Sequence, residues 1–522
     1  MSHRANIPWI LCSVLALAWV GTHDVSAAEA ADAPRTSTTN LVELRTRIRE
    51  RLENTRFQSA LWGIQVVNAR DGSVVYETNA VRYLIPASNT KLFTAALALD
   101  RLGTEYRIPT SFYATAKPDS HGTVKGDLLI YGRGDPTLYP EGAGGPAATS
   151  LSAWVAALTN AGIRSIRGDL VADESFFIGQ PYGSGWTVDD LPFSYSPEVS
   201  ALTYNQNVVS LVAAPGETPG SPVNLRFLPV SPPFEVISRA STATRSNSET
   251  SGNGLQFHHP VGNSRLVVWG TLNVGTAPLT NVLTVPRPAL WLGESLGRAL
   301  QQAGVRWKGK VRTIQWLDRV NDPLDPTRWV EVARVSSPRL AEMVVAMMKP
   351  SNNLAAQLLY LQVGANEPKI AGQTTEEAAA HALRRFLKPI VTHPPEAVLE
   401  EGSGLSRRHL VSPSTVVSLL SFMQKHPAGD IFKEALPIAG VDGTLRSRFR
   451  GTPAVGNLAA KTGTLRGISS LSGYVTTAGG EPLIFSILLN NYLPKSGEAS
   501  PRDEVEAIAA LLASFRGTTV GK

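Results

Sequence analysis

Three short segments place nucleophilic, basic and hydrogen-bonding side chains at spacings that suit acyl transfer. Ser88-Asn89-Thr90-Lys91 sets a hydroxyl three residues before an amine. Ser351-Asn352-Asn353 offers a second hydroxyl and a carboxamide, and Lys461-Thr462-Gly463-Thr464 joins a cation, two hydroxyls and a glycine. A serine hydroxyl is a weak nucleophile until a neighbouring base takes its proton. Three residues apart at the start of a helix, Ser88 and Lys91 share a face and can touch. Lys91 can act as that base only when neutral, which burial and a second cation would favour; Lys461 is the candidate for the second cation. A helix N-terminus also favours negative charge developing at Ser88. Ser351, in a loop after Pro350, can relay a proton to a leaving group, while Asn353 can hydrogen-bond both the lysine and a substrate amide. Lys461 and Thr462 suit a substrate carboxylate, and Gly463 leaves room for a substrate backbone. The N–H groups of Ser88 and Thr464 can form an oxyanion hole. Singly, the three segments read equally well as a cap, a helix break and a turn before a strand. Together and in order, S-x-x-K, S-x-N and K-T-G specify a serine acyl-enzyme.

The elements that must position these residues are legible at both ends of the chain. A charged amphipathic helix is expected over Leu41–Asn54, then strands over Leu61–Asn68 and Ser73–Thr78 about the turn Arg70-Asp71-Gly72. Pro86-Ala87-Ser88 starts a helix whose apolar face is Leu92, Ala95, Ala96 and Leu99, with Gly103 as its stop. From 104 to 284 short β-like runs alternate with Gly/Pro/Ser-rich loops, and helical periodicity is sparse apart from Ser152–Ala161. Helical patterning returns at Pro288–Ala303, followed by a strand near Trp307–Trp316. It appears again at Pro338–Met348 and Leu354–Val363. Strands at Gly467–Thr476 and Pro482–Asn491 and a last helix at Glu504–Phe515 complete the chain. The simplest organisation is one discontinuous domain, 36–103 with 285–520, carrying a mainly β insertion over 104–284.

Composition bounds the function. With 522 residues, 43% hydrophobic and 18% charged, the chain can build two or three packed domains. The net charge of +6, from 49 basic and 43 acidic residues, is mild and forms no dense run, so nucleic acid is not an expected partner. It is compatible with weak association with an anionic wall or membrane. Arg4, the apolar run Ile7–Val20 and small residues at Ser26–Ala30 read as an export signal occupying residues 1–30, cleaved after Ala27 or Ala30. The run is shorter than the roughly 20 residues of a spanning helix. The single cysteine, Cys12, lies inside it, so the mature chain has no thiol chemistry. His258-His259 lacks neighbours at ligand spacing, and neither a metal nor a cofactor is expected.

The chain resembles the class C low-molecular-mass penicillin-binding proteins, D-alanyl-D-alanine carboxypeptidase/endopeptidases of the penicillin-binding protein 4 type. The interval from Ser88 to Ser351 is more than twice that from Ser351 to Lys461, as in that family, whereas β-lactamases have a short first interval. Further segments are similar: Lys125–Leu128, Gly134–Leu138, Gly168–Asp173, Asn205–Asn207, Gly402–Arg407 and Gly440–Leu445. The resemblance covers most of the chain from about residue 40. It departs at Asn352 and Glu401, where Asp is usual, and at Arg466, where Gln can stand.

The resemblance implies an α/β transpeptidase/β-lactamase-like domain, an antiparallel sheet flanked by helices, with the insertion forming one or two smaller domains. It implies serine D,D-peptidase activity on peptidoglycan stem peptides in cell-wall remodelling, with β-lactams acylating the same serine. It also implies that Asp173, Phe177 and Arg407 contact a diaminopimelate side chain. Two rivals are a β-lactamase or esterase, for which no Glu-x-x-Leu-Asn element is present, and a non-catalytic wall-binding protein, which would not need the intact Ser88, Lys91, Ser351, Asn353 and Lys461.

Overall fold

The computed structural model describes residues 38–229, 234–244, 254–260, 262–325, 327–391 and 397–519; the expected signal segment lies outside them. Both ends of the chain meet in one antiparallel five-stranded sheet. Its order is Ala459–Leu465, Ile468–Thr476, Pro482–Asn490, Leu61–Asn68, Val74–Thr78. Successive side chains of a strand point to opposite faces, and both faces of the central strands are covered, so Pro482–Asn490 and Leu61–Asn68 are mainly apolar and largely buried. Ile64, Val66, Leu471, Phe485, Ile487 and Leu489 face the terminal helices Leu41–Leu52 and Pro501–Ser514. Val67, Tyr474, Ile484 and Leu488 face a larger helical layer. That layer comprises Thr90–Leu102, Leu340–Met348, Asn353–Ala365, Thr375–Leu387 and Pro413–Lys425. The helix Thr90–Leu102 is buried on every side from Thr90 to Leu99, as befits the centre of a large core.

The inserted region leaves this domain at Ile108 and returns beside it at Ser337. The Ser337 N–H donates to the Ile108 carbonyl and the Ile108 N–H to Ser337 Oγ. Between them lies a second five-stranded sheet in the order Val311–Ile314, Leu170–Asp173, Leu128–Tyr131, Pro109–Ala114, Val330–Ser336. The helices Leu151–Asn160 and Pro288–Gln302 share its core. Three three-stranded sheets and one two-stranded sheet complete the region among the described residues.

Residues 285–336 therefore pair with the insertion, not with the catalytic ends to which the sequence assigned them. Val311 is in parallel register with Leu170, and Val335 lies antiparallel to Thr110. Gly293 and Gly297 let the helix Pro288–Gln302 lie directly on Val311 and Trp307; a Cβ at either would collide. Helical periodicity shows that a helix forms but not which sheet covers it. Among the described residues no helix is long and apolar enough to cross a membrane.

Candidate active site

The nucleophile candidate sits on a tight turn, Ala87–Asn89, that feeds the central helix. Ala87 holds a left-handed φ of 49°, a conformation that neighbouring structure must enforce. Three contacts do so. Asn89 Nδ2 donates to the Lys461 carbonyl at 3.0 Å, and Ser470 Oγ donates to the Pro86 carbonyl at 2.7 Å. The third is Gly463, where a Cβ would stand 2.9 Å from the Ser88 nitrogen and 2.7 Å from the Pro86 oxygen. Gly463 is thus required for the strand to lie on the serine turn itself.

Lys91, one helical turn on, is completely buried. Its Nζ is 3.0 Å from Ser88 Oγ, and donates to Asn353 Oδ1 and to the Ser403 carbonyl, each at 2.6 Å. Burial brings its pKa down to about 7, against the opposing pull of Glu401. Burial, expected to act together with a second cation, is the leading cause. Repulsion appears on the other partner, since Lys461 is held well below the usual lysine range by burial first, then by Lys91 and Arg448.

Ser351 stands between the helices Leu340–Met348 and Asn353–Ala365 with φ 63°. Its Oγ accepts from Lys461 Nζ at 2.8 Å, and the same Nζ donates to the Thr462 carbonyl at 2.9 Å. Asn352 caps the following helix, its Oδ1 accepting from the Ala355 N–H at 2.9 Å, so its side chain takes a structural task. Asn353 Nδ2 donates to the Tyr195 carbonyl at 2.8 Å. Thr462 Oγ1 and Thr444 Oγ1 are 2.9 Å apart, which brings the Gly440–Leu445 segment to the site. The five residues therefore form two hydrogen-bonded groups, Ser88, Lys91 and Asn353 in one and Ser351 with Lys461 in the other, tied by Asn89 to the Lys461 carbonyl, with Thr462, Gly463 and Thr464 along the edge strand.

The residues expected to read a substrate side chain divide. Arg407 is exposed beyond the Lys-Thr-Gly strand, with Nη1 3.4 Å from the Arg466 carbonyl. Asp173 is instead sealed: its carboxylate is wholly buried, accepts from Arg319 Nη2 at 2.6 Å and Nε at 3.0 Å, and accepts the Ser175 N–H. It is a strut at the end of its strand and, so placed, has no free face for a ligand. Phe177 packs beneath Gly134 and against Phe176 and the Leu354–Leu361 side of a helix.

Several residues at the site carried little sequence signal. Tyr195 acts through its carbonyl, which any residue would supply. Ser403 likewise contributes its carbonyl, and His409 is buried with Nδ1 3.1 Å from Thr90 Oγ1. Among the described residues no group of three or more His, Cys, Asp or Glu is placed to hold a metal ion.

Fold and site together are those of a serine-type hydrolase on a transpeptidase/β-lactamase-like scaffold. Residues 44–515 match the D-Ala-D-Ala carboxypeptidase 3 (S13) family. The D-alanyl-D-alanine carboxypeptidase of Actinomadura sp. strain R39 is 36% identical over 91% of this chain and 86% of its own length. Penicillin-binding protein 4 (DacB) of Haemophilus influenzae superposes with a TM-score of 0.73 at 25% identity, over 92% of this chain and all of its own. The same protein in complex with a β-lactam matches with a TM-score of 0.68 at 24% identity, over 89% and 96%. The chain belongs to the S13 family and is a serine-type D-Ala-D-Ala carboxypeptidase.

Proposed function

We propose that Ser88 is the acylated nucleophile and Lys91 its general base, acting on peptidoglycan stem peptides. The observation that carries this is the environment of Lys91 Nζ. A neutral amine has two N–H groups and one lone pair. The Asn353 and Ser403 oxygens, each at 2.6 Å, take the two N–H groups, and the lone pair is left for the Ser88 hydroxyl at 3.0 Å. Ser88 attacks the carbonyl of the penultimate D-Ala, or of the D-Ala in a cross-link, as its proton passes to Lys91. The oxyanion is held by the N–H groups of Ser88 and Thr464. Ser351, held by Lys461, passes a proton to the leaving amine, and water then hydrolyses the ester. Thr462 and Lys461 face the substrate carboxylate, and Arg407 the side chain of the stem peptide. No cofactor enters these steps.

A β-lactam presents a strained amide in place of the D-Ala-D-Ala bond and acylates the same serine, a reading supported by the β-lactam complex of the Haemophilus relative. Work on a cell-wall polymer requires export, which the N-terminal signal would direct. Intact mass after incubation with benzylpenicillin tests the assignment. A long-lived adduct on wild type and none on Ser88→Ala is expected. An adduct on both proteins, or none on either, would overturn it.

A further inference from the structure

We propose that Glu401 is a positioning residue for acylation: its buried carboxylate grips the loop that presents the Ser403 carbonyl to Lys91, and it supplies the negative charge facing that lysine. The proposal rests on the acyl-serine reading above. Glu401 Oε1 accepts from the Gly404 N–H at 2.6 Å and the Ser406 N–H at 3.4 Å, and Oε2 from the Ser403 N–H at 2.7 Å. The central contact is one peptide unit. In a trans peptide the N–H and C=O point in opposite directions. The Gly404 N–H points at Glu401 and the Ser403 C=O of the same unit points at Lys91. Moving the carboxylate rotates the carbonyl off the base. Hydrogen bonds in such a chain also polarise one another. The loop has little room to adjust, because Gly404 has φ +88° and a Cβ there would strike the Ala87 carbonyl and Thr90.

The carboxylate is not simply half of an ion pair. His409 Nε2 lies 3.7 Å from Glu401 Oε1, but it accepts from the Glu400 and Glu401 N–H groups at 3.0 and 3.2 Å. The ring is therefore neutral, with its proton on Nδ1 toward Thr90, a tautomer read from the hydrogen-bond network. Burial lowers its pKa further. Burial alone would raise the Glu401 carboxyl, and the hydrogen bonds from the Ser403 and Gly404 N–H groups pull it back down. With the ring neutral, the loop N–H groups are the main support of this anion. The other charged or titratable groups facing the cluster are Lys461 and Arg448 on one side, Glu400 and Arg408 on the loop, and Tyr360 with Glu376 behind.

The sign follows from geometry and charge. Lys91 must be neutral to accept the Ser88 proton, so acylation rises with pH through the Lys91 pKa and then levels. Removing the anion disfavours the ammonium and moves this acid limb to lower pH. Loss of the carbonyl's position lowers the plateau. Benzylpenicillin acylation of the full-length protein, followed by intact mass between about pH 5 and pH 9 to span that limb, reads both. Glu401→Gln is expected to lose tenfold or more at the plateau with the limb displaced to lower pH, and Glu401→Asp to restore the limb and most of the plateau. A wild-type rate in Glu401→Gln, or an equal loss at every pH, overturns the proposal. If melting shows Glu401→Gln unfolded, Glu401→Asp decides: a wild-type limb supports the proposal and a displaced limb overturns it. Wild type without a Ser88 adduct would instead reject the acyl-serine reading, and this proposal with it.

Discussion

The carboxamide of Asn353 is held from two directions, its Oδ1 by Lys91 at 2.6 Å and its Nδ2 by the Tyr195 carbonyl at 2.8 Å. A flipped amide would set donor against donor and acceptor against acceptor, so the inserted region fixes the orientation of a residue in the acylation cluster. The segment that does this is braced internally. Ser196 Oγ bonds the Asp190 and Phe193 carbonyls, Tyr195 Oη donates to Asp190, and the rings of Phe193 and Tyr195 stack with centroids 5.5 Å apart.

Asn353→Asp should therefore change two things at once. A carboxylate beside Lys91 favours the ammonium, so the acid limb of acylation moves to higher pH, opposite to Glu401→Gln. Oxygen facing the Tyr195 carbonyl repels the brace, so proteolysis within 187–199 should quicken. An unmoved limb in the pH profile would show that Asn353 does not face the base in solution.

The base assignment makes its own prediction. With the Lys91 pKa at about 7, β-lactam acylation should be half-maximal near neutrality and fall as pH drops. Lys91→Arg keeps a cation that does not deprotonate, and should lose about 10²–10⁴-fold, the usual range for a general base. Rapid-quench kinetics of benzylpenicillin acylation measure both effects, and a fully active arginine variant would remove Lys91 from the mechanism.

Gly463→Ala tests how the edge strand meets the serine turn. Its Cβ would press on the Ser88 nitrogen, the Pro86 oxygen and Ser470, so the strand or the turn must shift. Overpacking of this kind costs about 1–3 kcal/mol, and the same shift spoils the oxyanion site. Denaturant melts should show the destabilisation, and the acylation rate should fall in the remaining folded protein. Unchanged acylation would mean that the turn tolerates displacement.

Asp173 and Arg319 are predicted to act in stability. Arg319→Met leaves a buried carboxylate without its partner, a change that costs about 3–5 kcal/mol. Urea unfolding should register it, while KM for a short D-Ala-D-Ala peptide stays near wild type in the folded fraction. A large KM change with unaltered stability would return Asp173 to the substrate site. By contrast, Arg407→Ala should weaken cleavage of diaminopimelate peptides more than of short D-Ala-D-Ala peptides.

The acylation cluster was legible because its side chains stand at fixed spacings, and the sheet ends were legible because Leu61–Asn68 and Pro482–Asn490 are mainly apolar runs. What escaped was contributed by backbone or by packing choice. The carbonyls of Tyr195 and Ser403 leave no trace in residue type. The helix Pro288–Gln302 has the same periodicity whichever sheet it covers, and its Gly293 and Gly297 acquire meaning only against Val311 and Trp307. Gly463 has a neighbour the sequence does not show: its missing side chain also makes room for the Ser88 turn. Asp173 was read as a ligand contact because the sequence did not show that Arg319, far along the chain, closes over it.

The strand order also sets a timetable for maturation. The strand Leu61–Asn68 has Pro482–Asn490 as its partner, and the turn bearing Ser88 is clamped by Asn89 to residue 461. A chain emerging from its N-terminus can pair Pro109–Ala114 with Leu128–Tyr131 early, since those contacts are local, whereas the central sheet must wait for almost the last strand to appear. The peptidase is thus inert until synthesis is nearly complete. Truncation anywhere before Ala459 would leave an enzyme whose nucleophile has no strand to rest on.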